Sequence, residues 1–153
     1  LRTTLANDRS LVSAIEEYLR EFAIQSGVET QFANGIGELN LASIAEVQLV
    51  CILQEALANV RKHAHATRVS VSITKESQGD AEYVRMEIVD DGIGFESSES
   101  KRNFGLQTMR ERANSVQGTL VVRSSLGKGT TVICRIPCLP QEEWKTPGIL
   151  SLS

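Results

Sequence analysis

Four short stretches of polar residues and glycines stand out in this sequence because each contains residue types that could do chemistry. In the first, residues 54–64, Glu55, Asn59, Lys62 and His63 recur at a spacing that a helix would place along one side. A carboxylate, an amide and a cation on one stripe could hold a hydrated Mg²⁺ ion and a polyphosphate, since magnesium prefers oxygen ligands and keeps water molecules. The alternative is a solvated helix face with ordinary ion pairs, and this stretch alone favours that alternative.

The second stretch, residues 90–95, follows directly on a predicted strand and reads Asp-Asp-Gly-Ile-Gly-Phe. Its glycines, Gly92 and Gly94, would let the backbone turn sharply and approach a ligand closely. Asp90, at the end of the strand, could accept a hydrogen bond from an exocyclic amine. Because Asp-Gly is common in turns, the alternative is a plain turn that ends a strand.

The third and fourth stretches are weaker signals when each is taken alone. Residues 103–112 place Gly105 where a helix begins, and the N–H groups at a helix N-terminus can face phosphate oxygens with help from the helix dipole. Residues 127–131 form a predicted hairpin turn in which the hydroxyl of Thr130 enters a strand. An ordinary loop-to-helix junction and an ordinary turn are the alternatives.

The elements that must position these stretches follow from hydrophobic periodicity and from turn residues. We predict a capping box at Ser43–Glu46 that opens a long helix reaching to His65. The apolar positions of that helix include Ile44, Val47, Val50, Leu53, Leu57 and Val60. The other predicted elements are a helix over 8–26 ended by Gly27, a strand over 28–33, a turn over 34–37, strands around 69–73 and 84–88 joined by a turn at 77–80, a helix over 105–116, and strands over 119–124 and 130–136.

This order of elements predicts an α+β fold, a two-layer α/β sandwich in which a mixed, mostly antiparallel sheet packs on about three helices. A length of 153 residues suits one domain. We place that domain at 8–137, after a linker over 1–7, and we predict a loose tail over 138–153, which contains Pro140 and Pro147.

Composition limits the function classes that need to be considered. The net charge of −3 disfavours a nucleic-acid partner, because phosphate backbones are held by excess Lys and Arg. We expect no apolar run of the length of a membrane span and no signal peptide. Three cysteines without C-x-x-C spacing disfavour disulfides and zinc, so we expect a cytoplasmic domain without direct membrane contact.

Taken together, in this order and spacing, the four stretches resemble the N-box and the three glycine boxes of the GHKL (Bergerat-fold) ATP-binding superfamily, which includes gyrase, MutL and histidine kinases. Within it, residues 54–59 with 62–64, and residues 104–106 with 109–112, resemble the nitrate-sensor type of bacterial two-component sensor histidine kinase. The resemblance extends from Asp8 to Ile136, which is most of the chain.

The resemblance implies roles for the residues of the first box. Asn59 would bind Mg²⁺ through its side-chain oxygen, and Lys62 would meet the phosphates of ATP. Glu55 would orient a metal-bound water, although in some relatives the equivalent acid is a general base. His63 would lie beside the nucleotide.

On the adenine side, the resemblance implies that Asp90 accepts a hydrogen bond from the amino group of the base. Gly92 and Gly94 would let the chain pass the base. Thr130 would join these hydrogen bonds through water.

On the phosphate side, Gly105 and Leu106 would offer backbone groups, and residues 96–103 would form a mobile lid over ATP. One departure from the family pattern falls here, because Asn103 stands where many histidine kinases have the first glycine of G-x-G-L. A short lid with fewer backbone contacts to phosphate is therefore expected.

The implied function is that of the ATP-binding catalytic domain of a sensor histidine kinase. Such a domain donates the γ-phosphate of MgATP to a histidine on a dimerisation domain, for relay to a response regulator. Neither His63 nor His65 matches the family's acceptor pattern, so this chain should bind ATP as a monomer without autophosphorylation. The alternatives are a stand-alone GHKL serine kinase or ATPase switch of the anti-sigma type, and a degenerate domain that binds partners without turnover.

Overall fold

The computed structural model describes residues 10–37, 41–96 and 105–138. The predicted linker over 1–7, nearly all of the predicted lid and the tail beyond Cys138 lie outside these residues. The helices are α1 (Leu11–Ser26), α2 (Ser43–Asn59), which continues into a π-helical turn (Val60–Ala64), and α3 (Leu106–Ser115). The strands are β1 (Glu29–Gly35), β2 (Arg68–Gln78), β3 (Ala81–Asp90), β4 (Thr119–Ser124) and β5 (Thr130–Pro137).

The five strands form one sheet in the order β1-β2-β3-β5-β4. β1 runs parallel to β2, and the other neighbouring pairs are antiparallel. Alternate residues of β2 and β3, among them Val71 and Met86, join residues of all three helices in one apolar core. The predicted two-layer α+β fold with a mixed, mostly antiparallel sheet is therefore confirmed.

Helix α1 and strand β1 lie close to their predicted bounds. The side chain of Ser10 caps α1 by accepting a hydrogen bond from the backbone N–H of Ser13 at 3.0 Å. The helix ends at Gly27, which adopts the left-handed conformation, as the sequence predicted. β1 extends to Gly35, two residues beyond its predicted end, because its parallel pairing with β2 continues to the pair Gly35–Thr74.

The predicted start of α2 is wrong. The N-terminal capping residue is Ala42, whose side chain makes no cap, so Ser43 lies in the first helical turn rather than at the cap of a capping box. Ala42 is buried in the core, which fixes the helix start one residue earlier than predicted. Ile44, predicted on the apolar side, is 48% exposed, while Leu49 and Ile52 are fully buried.

Helix α2 is buried on several sides because it contacts α1, α3 and the sheet. Its apolar residues therefore do not follow one narrow stripe, which explains why periodicity predicted the buried Leu53, Leu57 and Val60 but also the exposed Ile44. The segment Ser43–Ala64 has 22 residues and is apolar enough to cross a membrane by length and composition, contrary to our expectation. Its burial against the core accounts for that composition.

Candidate functional site

A cavity lies between α2 with its π-helical turn on one side and the ends of β3 and β5 on the other. It holds about 450 Å³ of space, counting the part that is open to solvent. Apolar side chains form most of the wall, and a few polar groups are placed among them. The lining residues are Ala56, Asn59, Val60, His63, Ala64, Ile88, Asp90, Gly94, Phe95, Leu106, Thr130 and Val132. Such a mixture suits a flat heterocycle that carries a few polar groups.

Asp90 is the buried charged residue in the described part of the chain, with 7% of its surface exposed. Its Oδ1 atom accepts a hydrogen bond from the backbone N–H of Gly92 at 2.9 Å. Burial raises the pKa of the Asp90 carboxyl, hydrogen bonds from the backbone of Gly92 and Thr130 oppose that rise, and the nearby charge of Asp91 adds to it. A buried acceptor is thus held in one orientation beside an apolar cavity.

The neighbouring carboxylate of Asp91 faces a different part of the molecule. It accepts hydrogen bonds from the backbone N–H groups of Thr67 and Arg68 at 2.9 and 3.0 Å, and from the Thr67 hydroxyl at 2.6 Å. The Thr67 hydroxyl and the backbone of Arg68 lower the pKa of Asp91. Asp91 therefore fastens the start of β2 to the end of β3 and takes no part in lining the cavity.

The two glycines of this loop are required because other parts of the chain lie very close to them. A Cβ atom at Gly92 would overlap the carbonyl oxygen of Ala64, at the end of the π-helical turn. A Cβ at Gly94, whose φ is +67°, would overlap the carbonyl oxygen of Ser125. The sequence predicted that these glycines let the backbone approach a ligand, whereas the close contacts in the structure are with the chain's own backbone.

A hydroxyl pair closes the same end of the cavity. Ser124 and Thr130 lie 2.8 Å apart through their hydroxyl oxygens, and the Ser124 hydroxyl also accepts a hydrogen bond from the N–H of Phe95 at 2.9 Å. Thr130 lines the cavity as the sequence suggested. Ser124 was missed, since a serine at the end of a strand carries no distinguishing pattern.

The π-helical turn changes which residues of the first box, residues 54–64, face the cavity. Asn59 and His63 both line the cavity, whereas Lys62 is exposed and lies outside the lining. The predicted single stripe of four residues is therefore only partly present, because a wider turn rotates successive side chains by a different angle. The turn ends at Ala64, whose carbonyl oxygen accepts a hydrogen bond from the N–H of Ile93 at 2.7 Å.

Glu55 lies at the rim, one helical turn before Asn59, and contacts α3. Its Oε2 atom accepts a hydrogen bond from Nε of Arg112 at 2.5 Å, and Nη1 of Arg112 donates to Gln48 at 3.3 Å. The Oε1 atom of Glu55 points towards Gly105, where a Cβ would lie 3.8 Å away. The Glu55 hydrogen bond contributes most to raising the pKa of Arg112. Sequence reasoning gave Arg112 no role of its own.

The fold is that of an ATPase domain. Residues 44–140 match the family described as histidine kinase-, DNA gyrase B-, and HSP90-like ATPase, and the chain belongs to that family. The resemblance to GHKL ATP-binding domains is thereby confirmed.

Among curated relatives, the chain is 35% identical over 144 residues to the signal transduction histidine-protein kinase/phosphatase DegS of Brevibacillus brevis, covering 93% of this chain and 36% of that protein. It is 32% identical over 145 residues to the sensor histidine kinase LiaS of Bacillus subtilis, covering 94% of this chain and 38% of that protein. The chain thus spans little more than a third of the length of these relatives.

Among solved structures, the histidine kinase domain of the blue-light activated histidine kinase from Erythrobacter litoralis EL346 superimposes with a TM-score of 0.71. That match covers 94% of this chain and 68% of the other, at 18% sequence identity. A second structure of the same kinase gives a TM-score of 0.60, covering 83% of this chain and 42% of the other at 20% identity. At these identities the likeness concerns the fold.

Proposed function

We propose that this chain is the ATP-binding catalytic domain of a cytoplasmic sensor histidine kinase of the nitrate-sensor type. In the full-length protein it would present the γ-phosphate of ATP to a histidine on a dimerisation domain, and a response regulator would receive the phosphoryl group. The observation that carries the proposal is the buried Asp90 carboxylate, held by the N–H of Gly92 against an apolar cavity. Two relatives named as histidine kinases support the kinase context.

The base-binding end of the cavity fits adenine in shape and in hydrogen bonding. Ile88, Phe95 and Val132 offer apolar surface that excludes water from a flat ring. Asp90 supplies the acceptor that an exocyclic amino group needs, in a carboxylate whose orientation is fixed by the backbone N–H of Gly92 on Oδ1. Thr130 adds a hydroxyl beside it.

The phosphate-binding end is formed by α2 and by the N-terminus of α3. Leu106 brings the first turn of α3 to the cavity wall, and first-turn N–H groups have no acceptor within a helix, so they favour anions. Lys62 lies on the π-helical turn and would neutralise phosphate charge from solvent. Transfer then depends on positioning and charge neutralisation, and the nucleophile comes from the acceptor domain.

The residues present fit a magnesium ion that is held mainly by phosphate and water. The described residues contain no group of three or more His, Cys, Asp or Glu side chains that could bind a metal by themselves. Magnesium needs only one or two protein oxygens when a polyphosphate is present, and Asn59 offers one at the cavity wall. When bound, the ion would neutralise charge on the phosphate oxygens.

Calorimetric titration of this chain with ATP, with and without Mg²⁺, tests the proposal. Asp90→Asn should weaken binding about 100-fold, because the amide puts an N–H₂ group in place of one carboxylate oxygen at a site where acceptors are needed. Asn59→Ala should remove the gain in affinity that Mg²⁺ produces. The matched control is Asp91→Asn, which changes a carboxylate outside the cavity lining and should bind ATP like the wild type.

Two results would contradict the proposal. One is a wild-type chain that binds no adenine nucleotide, and the other is equal loss of affinity in the Asp90→Asn and Asp91→Asn variants. Transfer itself is tested by supplying the acceptor domain of the full-length protein with radiolabelled MgATP. Label should then appear on that domain and not on this chain.

A further inference from the structure

The ion pair between α3 and α2 reaches the carboxylate that the proposed function places beside the phosphates. Arg112 donates to Glu55 through Nε at 2.5 Å and to Gln48 through Nη1 at 3.3 Å. Gln48 and Glu55 are seven residues apart, so one guanidinium spans two turns of α2 along a single side of that helix. The fork geometry of arginine allows both contacts at once.

Among the described residues, the pair with Arg112 engages one oxygen of Glu55 and not the other. Oε2 is engaged by Arg112, while Oε1 points to Gly105 at the N-terminus of α3. Gly105 directly precedes Leu106, which lines the cavity, and Asn59 lies one turn along α2 from Glu55. Oε1 therefore lies between α2 and the N-terminus of α3, next to residues that line the cavity on both helices.

The energetics argue that this contact positions the site and contributes little to folding. The side chains of Arg112 and Glu55 are 36% and 27% exposed, and ion pairs with this much solvent access contribute little to stability. α3 is already anchored to the core by Leu106, Met109 and Ala113. A carboxylate without the guanidinium would, in contrast, be free to change rotamer.

We propose that Arg112 is a positioning residue, which fixes the Glu55 carboxylate so that its Oε1 atom orders water around the magnesium-bound phosphates of ATP. The inference rests on the proposed function, since it assigns a task at the same site. Groups that orient metal-bound ligands are typically worth 10-fold to 100-fold in metal affinity. Arg112 should therefore affect the magnesium-dependent part of ATP binding, and not the part contributed by Asp90 at the other end.

The test is calorimetric titration of this chain with ATP in Mg²⁺ and in EDTA, for the wild type, Arg112→Ala, Arg112→Lys and Glu55→Gln. The measured quantity is the ratio of the two affinities. Arg112→Ala should lower that ratio about 10-fold while leaving binding in EDTA unchanged. Arg112→Lys should give a ratio between those of the wild type and Arg112→Ala, because an ammonium group keeps the positive charge but lacks the planar, forked set of donors of a guanidinium. Glu55→Gln should reproduce the alanine variant, and the double variant should be no worse than either.

The matched control is Arg110→Ala, which removes the same charge from the same helix. Side chains two residues apart on an α-helix point about 200° apart, and Arg110 does not pair with Glu55 in the described part of the chain. This variant should keep the wild-type ratio. Thermal melting of every variant shows whether it is folded, and Arg112→Lys carries the test if the alanine variant is not.

The possible results distinguish a failure of this inference from a failure of the proposed function. An unchanged ratio in Arg112→Ala overturns the inference, and so does an equal loss of affinity with and without Mg²⁺, which would indicate a general structural role. A defect in Arg112→Ala that is absent from Glu55→Gln also overturns it, because Arg112 would then act through another group. A wild-type chain that binds no ATP overturns the proposed function itself.

Discussion

The two ends of the cavity are built in different ways. At the end proposed to bind the base, Gly92 lies against the π-helical turn and Gly94 against the loop between β4 and β5, and the hydrogen bond from Gly92 to Asp90 is buried. At the phosphate-binding end, Glu55, Lys62 and Arg112 are side chains on two helices with substantial access to solvent. The predicted lid of this end falls almost entirely outside the described residues.

The residues at the two ends therefore differ in how much they contribute to the fold itself. The base-binding end is formed by packing contacts of the fold itself, because its glycines and its carboxylate are also needed for one chain segment to pack on another. The phosphate-binding end depends on side chains that hold each other, so its geometry can change while the fold stays intact. Substitutions at the first end should therefore reduce stability, and those at the second should change function alone.

The largest effect on stability is expected at Gly94. Gly94→Ala combines a positive φ with a Cβ that overlaps the carbonyl oxygen of Ser125, so it should lower the free energy of unfolding by about 3 kcal/mol. Gly127→Ala is the matched control, because Gly127 has a φ of +79° and no atom within 4 Å of its Cβ position. It should lose only about 1 kcal/mol in denaturant unfolding. Equal losses would show that close approach is unimportant at Gly94.

A smaller, pH-dependent effect is expected at Asp91. Its pKa is lowered in the folded state, chiefly by the Thr67 hydroxyl and the Arg68 backbone, so the folded chain binds the ionised form better than the unfolded chain does. The stability it contributes is therefore present above the ordinary aspartate value of 3.8 and is lost as pH falls through the lowered pKa. Asp91→Ala should melt below the wild type at pH 7, and the two curves should converge in stronger acid.

Thr67→Ala provides the comparison for that experiment. It removes the hydroxyl donor to Asp91 and keeps the backbone donors, so its melting temperature should lie between those of the wild type and Asp91→Ala. A difference between wild type and Asp91→Ala that persists unchanged in strong acid would mean that ionisation of Asp91 is not what holds the strands together.

A gain in stability is expected just beyond α3. Gln117 has a φ of +62°, a left-handed conformation that costs a residue with a side chain about 1–2 kcal/mol. Glycine avoids this strain, but it offsets part of the gain because it loses more conformational entropy on folding. Gln117→Gly should therefore stabilise the chain by about 0.5–1 kcal/mol. Asn114→Gly, within α3, should instead destabilise it by a few tenths of a kcal/mol. Destabilisation by Gln117→Gly would show that the side chain makes a contact of greater value.

The smallest effect on stability is expected for Arg112→Ala. The half-exposed pair with Glu55 should contribute less than about 0.5 kcal/mol to the free energy of unfolding, once solvent screening is considered. Denaturant unfolding at 0.1 and 1 M salt checks this value. A loss of 2 kcal/mol or more would contradict the distinction between the two ends, because the phosphate-binding end would then contribute to stability as the base-binding end does.

The sequence predicted best those elements whose signals are local. Residues of β2 and β3 alternate, and Gly79-Asp80 supplies the turn between them, so both strands were located, although β2 continues to Gln78 and β3 begins at Ala81, beyond the predicted bounds. α3 was placed within a residue, because Gly105 precedes it. The start of α2 was misplaced since burial of Ala42, a tertiary effect, overrode the local signal of Ser43.

The parts of the site that the sequence did not predict depend on contacts between distant residues. Arg112 and Glu55 are 57 positions apart, and each looks like an ordinary surface charge on its own helix. The π-helical turn is accompanied by the hydrogen bond between Ala64 and Ile93, which no local pattern encodes. Lys62 was expected on the stripe with Asn59, and the wider turn places it outside the lining.

The hydrogen bond from Ile93 to Ala64 couples the two walls of the cavity, so that movement of one wall affects the other. The last carbonyl of the π-helical turn accepts a hydrogen bond from the loop that directly follows Asp90, and Gly92 packs against the same carbonyl. Any displacement of the end of α2 must therefore either break this bond or carry the base-binding loop with it. By thermodynamic reciprocity, a nucleotide that stabilises the loop also restrains the helix.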